Sequence, residues 1–197
     1  MNSLAGVLEA AAELQTFCTA QGWRSCVIGG LAVQRWGTPR FTQDADLTLL
    51  TGYGGEEAFV DLLLKSFSPR HADSREFALQ NRVLLARSKN GVDLDIAMGA
   101  LPFEERTMTR CSQWETGTGV SLLTCSAEDL LVHKVFAGRN RDWGDVETIL
   151  ARQNGKLDLP LVRKELGPLL DLKGEQGALD KLEGLIKIVS GRMDSKA

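Results

Sequence analysis

Apolar residues recur at Leu4, Val7, Leu8, Ala11, Leu14, Phe17 and Cys18. That spacing lays them on one stripe of a helix and predicts an amphipathic helix over 3–20, closed near Gly22. The run Ser-Cys-Val-Ile-Gly-Gly at 25–30 is short, apolar and stopped by two glycines, which predicts a buried strand that turns sharply. A short helix is expected over 31–37, and 38–50 passes from a polar loop into a second strand. A further helix is predicted from about Glu56 to Phe67. Arg82–Arg87 and Val92–Met98 read as strands, and the Ser-Lys-Asn-Gly between them predicts a hairpin. Weaker strand patterns cover Cys111–Glu115 and Val120–Thr124. From Ser126 onward the period is helical with Gly or Pro punctuation, opened by Ser126-Ala-Glu-Asp129, a capping box with Asp in the acid position. The plan is an α/β core over 1–125 and a helical region over 126–197 packed on it.

Composition narrows the class without naming a chemistry. The 197 residues are 43 % hydrophobic and 25 % charged, as in an ordinary globular protein. The net charge of −3 excludes a basic nucleic-acid coat, although the residues after 150 are mildly basic. Cys18, Cys26, Cys111 and Cys125 form no Cys-x-x-Cys pair, and His71 and His133 complete no zinc-ligand spacing. Reduced, mostly buried thiols and a cytoplasmic location are expected. The first residues carry Glu9 and Glu13 and build no apolar signal core. No run approaches the ~18 apolar residues of a membrane span, so no membrane partner is expected.

The acidic pairs are the informative feature. Asp44 and Asp46 stand two apart at the mouth of a predicted strand, where side chains at i and i+2 share a face. Alone, they read first as loop-end polarity or an exposed N-cap cluster. Asp93 and Asp95 interrupt an apolar strand at the same interval, which an edge strand with one wet face would also explain. Carboxylates on adjacent strands make a hard-oxygen site suited to Mg²⁺. Gly29-Gly30, between a strand and a helix, lets backbone N–H groups approach phosphate, or is a plain tight turn.

The order of these parts carries a resemblance. The stretch GGLAVQRWGTPRFTQDADLTLL is similar to the Gly-Gly/Ser, spacer, Asp-x-Asp signature of the nucleotidyltransferase fold, the DNA polymerase β-like superfamily. Within it the chain resembles the AbiEii/AbiGii-type nucleotidyltransferases, toxins of type IV toxin–antitoxin systems, and their relatives. VDLDIAMGALPFEE is similar to the third-carboxylate strand of that family, and EDLLVHKVFAGRNRDWGDVETIL to its helical Lys…Arg…Arg-Asp-x-x-Asp segment. The resemblance covers about Val27 to Leu150. It implies an α+β fold, with a mixed β-sheet flanked by helices and followed by a C-terminal helical part. It departs in having Gly-Gly where the commoner pattern has Gly-Ser, which removes a hydroxyl near the β/γ-phosphates.

Position by position, the resemblance implies that Gly29 and Gly30 hold nucleotide phosphates, and that Asp44 and Asp46 ligate Mg²⁺. Asp95 is the third acid, with Asp93 as second choice. Lys134 contacts the triphosphate with help from Arg139, while Arg141, Asp142 and Asp145 anchor an inter-helix loop or face the substrate. By its pattern alone, Lys134 either snorkels outward or meets an anion inside, and Arg139, Arg141, Asp142 and Asp145 read as a solvated ion-paired loop. Arg40 and Thr42 touch phosphate or shape the loop. His71 and His133 are structural. Trp36, Trp114 and Trp143 are core or interface anchors. The expected activity is NMP transfer from an NTP to an acceptor hydroxyl, with the cleft between the two parts, tRNA as acceptor and an antitoxin protein as partner. A small-molecule nucleotidyltransferase, or a non-catalytic nucleotide- or partner-binding module of the same fold, are the alternatives.

Overall fold

The structure, a computed structural model, describes residues 3–175 and 177–194. Its elements in chain order are α1 (Leu4–Ala20), β1 (Ser25–Val27), α2 (Gly29–Trp36), β2 (Asp44–Leu50), α3 (Glu56–Ser66), β3 (Ser68–Pro69), α4 (Ser74–Asn81) and β4 (Val83–Arg87). They continue with β5 (Asp93–Gly99), α5 (Pro102–Arg110), β6 (Ser112–Glu115), β7 (Ser121–Thr124), α6 (Ala127–Ala137), α7 (Asn140–Arg152), α8 (Leu159–Lys173) and α9 (Gly177–Asp194). The chain gathers into two compact units. One takes the chain up to Leu31 with Phe41–Cys125, and the other takes Ala32–Arg40 with the chain from Ser126 on.

The first unit is built on a sheet of order β3-β4-β5-β2-β1-β7-β6. β2 runs parallel to β5 and β1 parallel to β7, while the remaining neighbours are antiparallel. This is the mixed sheet with flanking helices of an α+β fold. Alternation decides the faces. Ala45, Leu47 and Leu49 of β2 and Leu94, Ile96 and Met98 of β5 are buried in one cluster with Val7, Leu8, Ala11, Leu14 and Cys18 of α1. Burial pushes the Cys18 thiol up to about 11, so it stays protonated, and none of the four cysteines forms a disulfide among the described residues. Ser3 caps α1, its hydroxyl accepting from Gly6 N–H at 3.1 Å. The Ser-Lys-Asn-Gly hairpin forms as predicted: Gly91 sits at φ +81°, its N–H bonds Ser88 O at 3.0 Å, and Ser88 Oγ accepts from Val92 N–H at 3.1 Å.

Three elements of this unit escape the hydrophobic pattern. α4 buries only Ser74 and Ala78, too few to leave a period. It stops on Arg82, a non-glycine residue at φ +57°, so the predicted strand starts at Val83. That conformation is held from outside the helix. Arg82 Nε and Nη2 donate to Met98 O at 3.1 and 2.8 Å, Nη2 reaches Gly52 O at 2.8 Å, and the guanidinium pairs with Glu56. α5 starts at Pro102, and the Glu104 carboxylate accepts from Ala100 and Leu101 N–H at 2.7 and 2.8 Å. β3 is a two-residue edge pairing with β4.

The second unit is helical, with Leu130, Leu131, Val135, Val146, Ile149, Val162, Leu166, Leu170 and Leu182 buried. Ser126 Oγ accepts from Asp129 N–H at 3.0 Å, as the capping box predicts, while the Asp129 carboxylate takes the Ser126 hydroxyl. The segment 32–40 is tied into this unit: Gln153 Nε2 donates to Trp36 O at 2.8 Å, and a Cβ at Gly37 would stand 2.8 Å from Thr148 Oγ1. Among the described residues, no helix is long and apolar enough to cross a membrane.

Leu94 is fully buried on the β5 face that packs on α1. Leu94→Ala should destabilise the chain by about 3 kcal/mol through lost burial and a residual cavity, read as a lower denaturation midpoint with an unchanged slope.

Candidate active site

Parallel pairing of β2 with β5 sets Asp44 opposite Asp93 and Asp46 opposite Asp95. Side chains at these positions share the face opposite the buried Ala45, Leu47, Leu94 and Ile96, so four carboxylates stand in two in-register pairs. β1 runs antiparallel to β2 with Val27 facing Leu47, and Ile28 N–H bonds Asp46 O at 3.0 Å. The chain therefore turns into α2 directly beside Asp46.

That turn leaves no room for side chains. Gly29 adopts φ +58°, and a Cβ there would lie 2.0 Å from Asp46 Oδ2. A Cβ on Gly30 would lie 2.3 Å from Thr42 Oγ1. With both glycines the backbone closes up, and Gly30 N–H donates to Asp46 Oδ2 at 3.2 Å. Thr42, 2 % exposed, donates its hydroxyl to Asp44 Oδ1 at 3.0 Å and so orients that carboxylate. Gly29, Gly30, Thr42, Asp44 and Asp46 thus form one cluster, with Asp93 and Asp95 on the next strand.

Four acids on one face demand positive charge. Arg70, in the loop after β3, reaches Asp93 Oδ2 from Nη1 at 3.4 Å and pairs with Asp95 through Nη2. Arg87 pairs with Asp93 at 2.8 Å. Burial raises the Asp95 carboxyl above the usual carboxylate range; Arg70 opposes that rise, while Asp44 and Asp93 add to it. Among the described residues no three acids, histidines or cysteines are drawn together as a finished cation cage. The donor set nevertheless fits a hard divalent cation: carboxylates only, in register, with a third acid whose burial outweighs the charge of Arg70.

The other predicted polar residues meet in the helical unit. Lys134, 6 % exposed, contacts Asp142 Oδ1 at 3.1 Å and Asp145 Oδ2 at 2.8 Å. Arg40 grips Asp145 with Nε at 2.5 Å and Nη2 at 2.7 Å. Arg139 Nε holds Asp142 at 2.6 Å. Burial pushes both aspartates up, but the hydrogen bonds of Arg139 and Lys134 to Asp142, and of Arg40 and Lys134 to Asp145, outweigh it and hold both below the usual range. Lys134 therefore meets anions inside, and Arg40 ties the end of 32–40 to α7. Arg141 is exposed on α7. Trp143 donates Nε1–H to Gly138 O at 3.1 Å and lies under the Lys181 ammonium at 4.2 Å. Trp114 packs half-buried on the sheet core, and Arg35 stacks on Trp36. The backbone N–H of His71 donates to Ser74 Oγ at 3.0 Å.

Residues 26–189 match the family model described as nucleotidyl transferase AbiEii toxin, type IV TA system. The chain belongs to the AbiEii nucleotidyltransferase family. No curated protein matches it. Among solved structures, an antigenic nucleotidyltransferase-like protein from Paracoccidioides brasiliensis is similar in fold, at 14 % identity and TM-score 0.52 over 94 % of each chain. The antibiotic-resistance factor ANT(2'')-Ia is also matched, at 16 % identity and TM-score 0.45 over 95 % of this chain and 93 % of that one.

The matched segment of this AbiEii-family chain contains a residue that its motifs did not reveal, Arg70. It lies in Ser-Pro-Arg-His, outside any recognisable spacing, and only the strand order brings it to Asp95. The one available signal was charge balance, since four clustered acids require a cation nearby.

Two outcomes follow from the geometry. Gly30→Ala should destabilise the chain by about 1–3 kcal/mol through overpacking against Thr42, measured by denaturant titration, and should shift the Thr42 and Asp44 NMR resonances. Asp142 and Asp145 have folded-state pKa values below their unfolded ones, so their stabilisation is full above the unfolded value and fades as pH falls through the folded value. Asp145→Asn should accordingly lower stability at pH 7 and flatten its decline below about pH 4, read from melting temperatures across the acid range.

Proposed function

We propose that this AbiEii-family chain transfers a nucleoside monophosphate from an NTP to an acceptor hydroxyl, with Mg²⁺ held by Asp44, Asp46 and Asp95. The observation that carries the reading is the register that sets Asp46 opposite Asp95 while Gly30 N–H points at Asp46. A divalent cation bound there would neutralise charge on the α-phosphate and acidify the attacking hydroxyl. The acceptor oxygen forms a bond to the α-phosphorus, the bond to the bridging oxygen of the β-phosphate breaks, pyrophosphate leaves, and the hydroxyl proton passes to solvent or a carboxylate. Thr42 keeps Asp44 aimed, and the side-chain-free turn at Gly29 and Gly30 lets the backbone come close enough for Gly30 N–H to aim Asp46. Lys134, held between Asp142 and Asp145, is assigned to the triphosphate with Arg139 and Arg40, a group of three cations to two carboxylates.

The family description, a toxin of a type IV TA system, supports an antitoxin protein as partner, and the acceptor proposed beside it is tRNA. A cytoplasmic site of action follows from that acceptor. The test is to incubate the chain with each α-labelled NTP, Mg²⁺ and total tRNA. Label in RNA supports the reading. Label only in small hydroxylated compounds moves the acceptor to a metabolite, and nucleotide binding without transfer leaves a binding module. Asp44→Asn and Asp46→Asn should each lower transfer at least about 10³-fold, as expected when a metal-dependent charge-stabilising group is lost, while melting temperatures stay close to the parent's. Full labelling by the double variant sinks the mechanism.

A further inference from the structure

Arg70 is pinned through its backbone and grips two carboxylates with its side chain. Its backbone N–H bonds Leu85 O at 3.0 Å, which pins it to β4. Its side chain is 17 % exposed, and its guanidinium contacts Asp93 and Asp95 together. In the strand order β3-β4-β5-β2, Arg70 comes to β5 from the side away from β2. It therefore draws on Asp95 from the side opposite Asp46.

Three observations separate this arginine from a purely structural one. Its Nε is buried without a hydrogen-bond partner, whereas Arg82 engages Nε, Nη1 and Nη2. An arginine placed only to brace the fold would satisfy that donor. Asp93 has a second cation in Arg87, while the ion pair of Asp95 is with Arg70 alone among the described residues. Finally, the acids of β2 and β5 share one face and yet no three of them close around one point.

We propose that Arg70 is a resident counter-cation of the site: it holds Asp95 until a divalent cation takes that carboxylate, and it then remains on Asp93. The inference rests on the metal-site reading above and deepens it. It assigns Asp95 as the ligand and Asp93 as the anchor of Arg70, and it makes Arg70 a positioning residue. In the absence of cation the guanidinium offsets repulsion between Asp95 and its neighbours. When a cation arrives, the same charge opposes it, so cation affinity is set by competition within the site.

The test is Mn²⁺ binding to the full chain without nucleotide, followed by the electron paramagnetic resonance signal of the free ion. An opposite charge beside a carboxylate lowers its proton affinity about 10-fold or more, so Arg70→Gln should bind Mn²⁺ at least about 10-fold more tightly than the parent. Without cation, Arg70→Gln should melt at a lower temperature than the parent, and Mn²⁺ should raise its melting temperature by the larger increment. Unchanged or weaker Mn²⁺ binding by Arg70→Gln overturns the proposal. If Arg70→Gln does not fold, Arg70→Lys decides, since an ammonium cannot fork across Asp93 and Asp95: tighter binding supports the proposal and unchanged binding overturns it. Asp44→Asn separates the two readings. Loss of Mn²⁺ binding in Asp44→Asn with no change in Arg70→Gln leaves the metal site standing and removes the role of Arg70. No Mn²⁺ binding by parent or variants removes both.

Discussion

The register between β2 and β5 is the constraint on which the site depends. Because side chains alternate, a slip of one residue would send one strand's aspartates into the core and its leucines to the polar face. What prevents the slip is apolar: Ala45, Leu47 and Leu49 beside Leu94, Ile96 and Met98, buried against α1. The hydrophobic alternation of two strands therefore positions four charged groups that contribute nothing to the core. This division of labour lets the acids sit close together, since the penalty for crowding them is offset by packing on the other face.

The two units handle charge in opposite ways. In the sheet unit, Asp95 stays above the ordinary carboxylate range despite Arg70. In the helical unit, Arg40, Lys134 and Arg139 hold Asp142 and Asp145 below it. Asp142 and Asp145 each meet two cations, whereas Asp95 meets Arg70 alone among the described residues. Removing one member from the helical network would leave a buried charge uncompensated, which costs far more than the pair contributes by existing.

Much of this was legible in the sequence, and the reasons it was or was not are physical. The strands carrying the acids announced themselves because each has one apolar face with Asp in the alternate positions. The helices after Ser126 declared themselves by period and caps. α4 and α5 did not, because the apolar residues of α4, Phe77, Ala78 and Leu79, fall in one run that marks no helical period, and α5 is fixed by Pro102 and the Glu104 carboxylate rather than by an apolar stripe. Lys134 was ambiguous between solvent and an internal anion because its partners lie on the next helix, where spacing along one helix gives no guidance. Arg70 was invisible for the same reason, as its contacts depend on strand order and not on neighbours in the chain.

The crowding at the glycine turn couples two positions twelve residues apart in the chain. The space that a side chain at position 30 would fill is already occupied by the hydroxyl of Thr42. Any side chain introduced at 30 therefore demands a smaller residue at 42, and a smaller residue at 42 with glycine kept at 30 leaves that volume hollow.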